Sequence, residues 1–170
     1  MDKRKPVITF DTSCIYSEGR SPPEIAELEG LHKQGRLQIV KTDVVDTELL
    51  KSRKKGLKQK SAAYDEDLGV VVIGHSRVNH ALIADNESED ILRELMNIVF
   101  PDFENYGEGA KDGAIRDAMH LMTHHRYKRD FFVTRDEHHI IKKATQLEGR
   151  YGIIVLTPID CLKRLRAILT

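Results

Sequence analysis

Four acids in this chain fall where short apolar runs end or where the following helices begin. Asp11 terminates Val7-Ile8-Thr9-Phe10, and Asp136 follows Phe131-Phe132-Val133-Thr134 by two residues. Glu48 lies just over a turn into the segment after Leu37-Gln38-Ile39-Val40, and Asp117 lies in the segment feeding the Phe131 run. In open parallel sheets, ligands bind beyond the carboxyl ends of the strands. Carboxylates gathered there raise one another's pKa unless a cation sits among them. Mg²⁺ or Mn²⁺ suits such a set, because each takes oxygen ligands and keeps several waters. A metal so held acidifies and orients a bound water and neutralises charge on a phosphodiester. Taken singly, these acids also have structural uses: Asp136 and Asp112 as helix N-caps, Asp117 as an early-turn acid favoured by the helix dipole. Their shared placement at strand ends favours a site.

Positioning these acids requires alternating strands and helices, and the chain has that order. After the Val7 run, Ser21-Pro22-Pro23-Glu24 predicts an N-cap, a proline at the first helical position and a capping-box glutamate. Ile25, Leu28 and Leu31 continue at helical spacing, and Asp43 can cap a helix carrying Val44, Val45 and Glu48. Ile91, Leu92, Leu95, Met96 and Val99 mark one apolar helix face between about Ser88 and Val99. Asp112 can cap a helix with Ile115, Ala118, Met119 and Met122 inward, and Ile140, Ile141, Ala144 and Leu147 mark another. Ile153-Ile154-Val155-Leu156 is a further strand, and Thr157-Pro158-Ile159-Asp160 a second capping box opening a last helix. Strands that are apolar throughout, alternating with helices, imply an α/β domain whose parallel sheet is covered on both faces. Val70-Val71-Val72-Ile73 fits a buried strand or a helix equally well, and 52–86 stays unassigned.

The chain has 170 residues, 40% hydrophobic and 32% charged, which suits one domain spanning 1–170 with a single sizeable core. Lys plus Arg total 27 and Asp plus Glu total 27, so bulk charge does not drive it onto nucleic acid or membrane. No apolar stretch approaches the ~20 residues of a membrane helix. Two cysteines, Cys14 and Cys161, and no secretory apolar segment lead to the expectation of a cytoplasmic protein with reduced thiols.

Three stretches together resemble the PIN-domain nucleases: Ile8-Thr9-Phe10-Asp11-Thr12-Ser13, Asp117-Ala118-Met119-His120-Leu121 and Phe132-Val133-Thr134-Arg135-Asp136. Glu48, in the helix after the second strand, completes the order. The resemblance runs from Val7 to about Leu156, and it implies a PIN-like three-layer fold and a metal-dependent endoribonuclease. By position, Asp11, Glu48, Asp117 and Asp136 match the family's metal-binding and catalytic acids. Thr12, Ser13 and Thr134 match small hydroxyl positions beside them, and Asp112 is a secondary acid at most. The implied cofactor is Mg²⁺ or Mn²⁺, and the implied products carry 5′-phosphate and 3′-hydroxyl ends. RNA is the implied substrate partner. VapC-type toxins belong to this family, which leaves an antitoxin partner and a homodimer open.

The segment 51–60 holds six basic residues directly after the Glu48 helix. Arg53, Lys54, Lys55 and Lys58 can flank the acids and grip a phosphate backbone, or form a solvated surface. Eight histidines, with His120 and His124 four apart, invite zinc, but no cysteine joins them in a zinc pattern. Exposed or internally satisfied histidines beside an RNA groove fit better. Haloacid-dehalogenase-type phosphatases also open on an Asp after the first strand, yet their second Asp is replaced here by Ser13. A PIN-like fold kept only for RNA binding or scaffolding is the non-enzymatic alternative. Loss of the acids would mark that case, and all four are present.

Overall fold

In a computed structural model of the chain, residues 4–17, 19–51, 56–69 and 86–169 are described. Five strands form one parallel sheet: β1 (Val7–Phe10), β2 (Gln38–Thr42), β3 (Asp65–Asp67), β4 (Phe131–Val133) and β5 (Val155–Leu156). Their order is β3-β2-β1-β4-β5, so the chain winds outward from β1 to one side and then to the other. Seven α-helices connect them among the described residues: α1 (Pro23–Lys33), α2 (Asp43–Lys51), α3 (Leu57–Ser61), α4 (Asn86–Val99), α5 (Glu108–Arg126), α6 (Ala144–Tyr151) and α7 (Pro158–Leu169). The expected α/β class, with a parallel sheet between two helical layers, is what the chain adopts.

Alternation along the strands assigns the layers. Ile8, Phe10, Ile39, Phe131 and Val133 point to one side, where α1, α2, α3 and α7 supply Ile25, Leu28, Leu49, Leu57 and Leu162. Phe132 and Val155 point to the other, against Leu95 and Val99 of α4, Ala118 and Leu121 of α5, and Leu147 of α6. That second side also receives Thr9 and Thr42, both fully buried, and α5 answers them with histidines one turn apart. His124 Nδ1 bonds Thr9 Oγ1 at 2.8 Å, and His120 Nδ1 bonds Thr42 Oγ1 at 2.5 Å. Two hydroxyls on neighbouring strands thus fix the rotation of α5 over the sheet.

Several local expectations change. Ser21 does not cap α1: Pro22 stands at the cap, and the Ser21 hydroxyl donates instead to Glu29. Asp112 caps nothing, because α5 begins at Glu108 behind Gly107 and leaves Asp112 in its second turn. Asp43 opens α2, and its buried carboxylate accepts the Gly69 N–H at 3.0 Å. Thr157 does cap: its hydroxyl accepts the Asp160 N–H at 3.2 Å and donates to the Asp160 carboxylate. β3 is a strand of Asp-Glu-Asp, with no apolar periodicity to reveal it. The Val70–Ile73 run lies outside the described residues, as do Arg53, Lys54 and Lys55.

Phe132 sits fully buried in β4 and anchors the α4–α5–α6 layer that carries Asp117. Phe132→Ala should cost about 3–5 kcal/mol of unfolding free energy. Urea denaturation is the measurement, and a loss below 1 kcal/mol would contradict that anchoring role.

Candidate functional site

The winding order reverses at β1, and at such a switch point the connections diverge and leave a crevice beyond the strand ends. Asp11 is the first residue past β1, its N–H bonded to the Val133 carbonyl of neighbouring β4 at 3.0 Å. Its buried carboxylate is aimed by two hydroxyls. Ser13 donates to Oδ2 at 2.6 Å and Thr134 at 2.7 Å. Oδ1 accepts no hydrogen bond among the described residues and lies 4.0 Å from His120 Nε2.

Thr134 links the next acid. The Asp136 N–H donates to Thr134 Oγ1 at 3.0 Å, so Asp136 is tied to Asp11 through one hydroxyl. Asp136 Oδ1 also accepts the N–H groups of His138 and His139, each at 3.0 Å, and Oδ2 lies 3.2 Å from His139 Nδ1. Part of its capacity is therefore spent on the local turn, as in the capping role weighed above.

Glu48 enters from α2, one strand away from Asp11, and both its oxygens are occupied. Oε2 takes the Thr12 hydroxyl and His120 Nε2, the latter at 3.2 Å, and Oε1 takes Arg116 Nε at 3.2 Å. Burial opposes ionisation of Glu48, but the bond and charge of His120, with Thr12 and Arg116, outweigh it and hold the carboxyl at about 2. His120 is the reciprocal case. Its burial favours the neutral ring, yet Glu48, Asp11 and Asp117 raise it to about 9. The imidazolium bridges Glu48 and Thr42 as a buried positive strut.

Asp117 differs from the other three. It sits on α5 one turn before His120, and its carboxylate accepts no hydrogen bond and forms no ion pair among the described residues. Burial raises its pKa first, and the charges of Asp11, Glu48 and Asp136 add to that against the pull of His120, bringing it to about 8. The charges of the other three acids thus all act on Asp117. Among the described residues, no three His, Cys, Asp or Glu side chains form a set that could hold a metal ion by themselves. Mg²⁺ does not require such a cage, since it commonly takes one or two carboxylates and completes its shell with water and substrate phosphate. Asp11 Oδ1 and Asp117 are the open oxygen donors, and these hard donors fit that ion.

Asp112 takes no part in this cluster: it is half-buried, with its carboxylate 3.9 Å from Arg116. Lys58, the one described member of the proposed RNA-gripping set, is exposed on α3. His120, Arg116 and Thr42 were not expected in the site. The Asp117–His120 spacing of three residues places both on one helical face and was the available signal. His124, four residues on, is not a zinc partner of His120: it bonds Thr9 instead, and burial lowers it to about 3. Cys14 belongs to the core, its thiol donating to the Val133 carbonyl, and Cys161 is likewise buried and free.

The charge arrangement has a pH signature in EDTA. Asp117 binds its proton up to about pH 8 in the fold but only up to 3.8 when unfolded, so stability falls as pH rises between those values. Glu48 contributes stability above 4.5 that is lost as pH falls through about 2, and His120 contributes below 6.5 what is lost as pH rises through about 9. Asp117→Asn should remove the first slope and be more stable than the parent at pH 8.5. Urea titrations at pH 5 and 8.5 test this, and an unchanged pH slope in the variant would refute it.

No family model matches the chain, and no curated protein matches it. Among solved structures, the chain is similar to VapBC2 from Rickettsia felis bound to a DNA fragment from their promoter. The identity is 18%, covering 89% of this chain and 98% of that one, with a TM-score of 0.42. The geometry around Asp11 and Asp117, rather than that likeness, bears on function.

Proposed function

We propose that this chain is an endoribonuclease that hydrolyses RNA phosphodiester bonds with Mg²⁺ or Mn²⁺ at the crevice beyond β1 and β4. One observation carries the proposal. Asp117 presents a half-buried carboxyl with no hydrogen-bond donor among the described residues, set among the negative charges of Asp11, Glu48 and Asp136. Ionising Asp117 in that company incurs a penalty that the fold meets by keeping its proton, and a bound cation would take the place of that proton.

Within this scheme Asp11 and Asp117 supply the direct oxygen ligands, and Asp136 and Glu48 act at the edge through water. Ser13 and Thr134 hold the Asp11 carboxylate in one orientation. His120 and Arg116 hold Glu48 ionised and fixed, which makes it an orienting anion rather than a proton acceptor, since a carboxylate at about 2 is a weak base near neutral pH. The bound metal supplies an acidified water and charge neutralisation at the phosphate. The assignment to a toxin of a toxin–antitoxin pair rests on the sequence motifs, and the antitoxin and homodimer belong with it as proposals. Among the described residues no helix is long and apolar enough to cross a membrane.

The occupied oxygens of Glu48 favour one alternative, a silent module whose acids are neutralised by its own Arg116 and His120. Cleavage decides between them. RNA incubated with Mn²⁺ should be cut to products bearing 5′-phosphates, and EDTA should abolish the cutting. Asp11→Asn retains an oxygen for Ser13 and Thr134 but loses the charge, so it should cleave at least ~100-fold more slowly while its melt in EDTA holds or rises. A folded Asp11→Asn protein that cleaves like the parent would end the metal-ligand role of Asp11.

A further inference from the structure

Beside Glu48 lies a cleft of about 360 Å³. Such a volume falls at the lower end of the ~300–1,000 Å³ typical of small-ligand sites. Thr12 and Glu48 form the wall it shares with the acidic site, Leu49 and Leu57 give it an apolar floor, and Tyr16 and Arg20 stand at its mouth. Leu49 and Leu57 belong to the core, so this floor is rigid.

Tyr16 is half-buried, packed by one side against that core. Arg135 donates to its phenol oxygen, and the guanidinium carbon is 5.8 Å from the ring centroid. A guanidinium that far from the centroid while bonding the hydroxyl sits off the ring's oxygen edge, not on its face. Arg135 is itself anchored: its N–H donates to Ser13 Oγ at 3.1 Å, and Ser13 holds Asp11. The ring is therefore positioned relative to Asp11 through two hydrogen-bonded residues. Arg20 and Arg135 are exposed and form no ion pair among the described residues. The negative charge of Glu48 that would repel a phosphate here is already balanced by Arg116 and His120.

An aromatic platform, an apolar floor and two exposed guanidinium groups without an ion pair among the described residues suit a nucleobase and its phosphate. Resting on the nuclease assignment above, we infer that this cleft is a subsite for one unpaired nucleotide of the RNA, its base stacked on Tyr16 and its phosphate at Arg20 and Arg135. It deepens that assignment by naming how the strand is seated next to the acids. A base held within a duplex has both faces covered, and so cannot stack on Tyr16.

The experiment reads stacking directly and without cleavage. A single-stranded hexaribonucleotide carrying one 2-aminopurine is titrated with the full chain in EDTA, with quenching and anisotropy followed together. The parent and Tyr16→Phe should quench it. Tyr16→Leu keeps apolar bulk for the core but lacks a π-face, so it should lose the quench and bind about 5- to 150-fold more weakly. Arg20→Gln and Arg135→Gln should each shallow the salt dependence of binding. Binding by the parent without quenching overturns the subsite whatever the variants do, as do parental affinity in a folded Tyr16→Leu protein and equal affinity for the same sequence in a duplex. Absence of binding overturns it too. Quenching by a parent that never cleaves RNA with Mn²⁺ leaves the subsite standing and removes the nuclease assignment, so the two fail separately.

Discussion

Like charges gathered in a low-dielectric crevice must be compensated, and that constraint organises this structure. The switch point at β1 brings acids from four distant stretches into one neighbourhood, because Asp11 and Asp136 follow β1 and β4, all strands run the same way, and α2 and α5 carry Glu48 and Asp117 to that edge. Compensation takes two forms. Glu48 is matched by Arg116 and His120, and Asp117 by a proton held up to about pH 8.

The same demand explains the polar content of the second face of the sheet. A parallel sheet covered on both sides is ordinarily lined by apolar residues. Here Thr9 and Thr42 interrupt that lining, and each meets a histidine of α5. One of these contacts ends in the core. The other continues through the imidazole to Glu48, so a single helix rotation sets both the packing of the layer and the placement of Asp117 and His120. Altering that rotation would disturb the fold and the site together.

Hydroxyls serve as the connectors. Thr134 joins Asp136 to Asp11, Ser13 joins Arg135 to Asp11, and Thr12 joins the turn after β1 to Glu48. A short side chain with one donor and two acceptor positions can orient a carboxylate while accepting from a backbone N–H. Small hydroxyl residues beside Asp11, Glu48 and Asp136 thereby order this anionic site.

Much of this was legible in order and composition. Mostly apolar runs at Val7, Leu37, Phe131 and Ile153, separated by helical periodicities, point to a covered parallel sheet because strands buried on both faces lack the apolar–polar alternation of a half-exposed sheet. The four acids were legible because Asp11 and Asp136 follow such runs and Glu48 and Asp117 lie in the helices that adjoin them. What the sequence could not show was which atoms meet. β3 reads as three charged residues, and becomes a strand only because its backbone pairs with the edge of β2. Asp112 and Asp117 are both aspartates of one helix, five residues apart in sequence. Tertiary packing turns one toward solvent and Arg116 and the other into the crevice, where burial and three neighbouring carboxylates change its chemistry. His120 was visible in the sequence as a motif residue and a weak zinc candidate, but its raised pKa comes from carboxylates brought to it by the fold, Glu48 first, more than 70 residues away. Periodicity reports which face of an element is buried. The partner across that face, and hence protonation and ligand capacity, is decided only when distant segments are brought together.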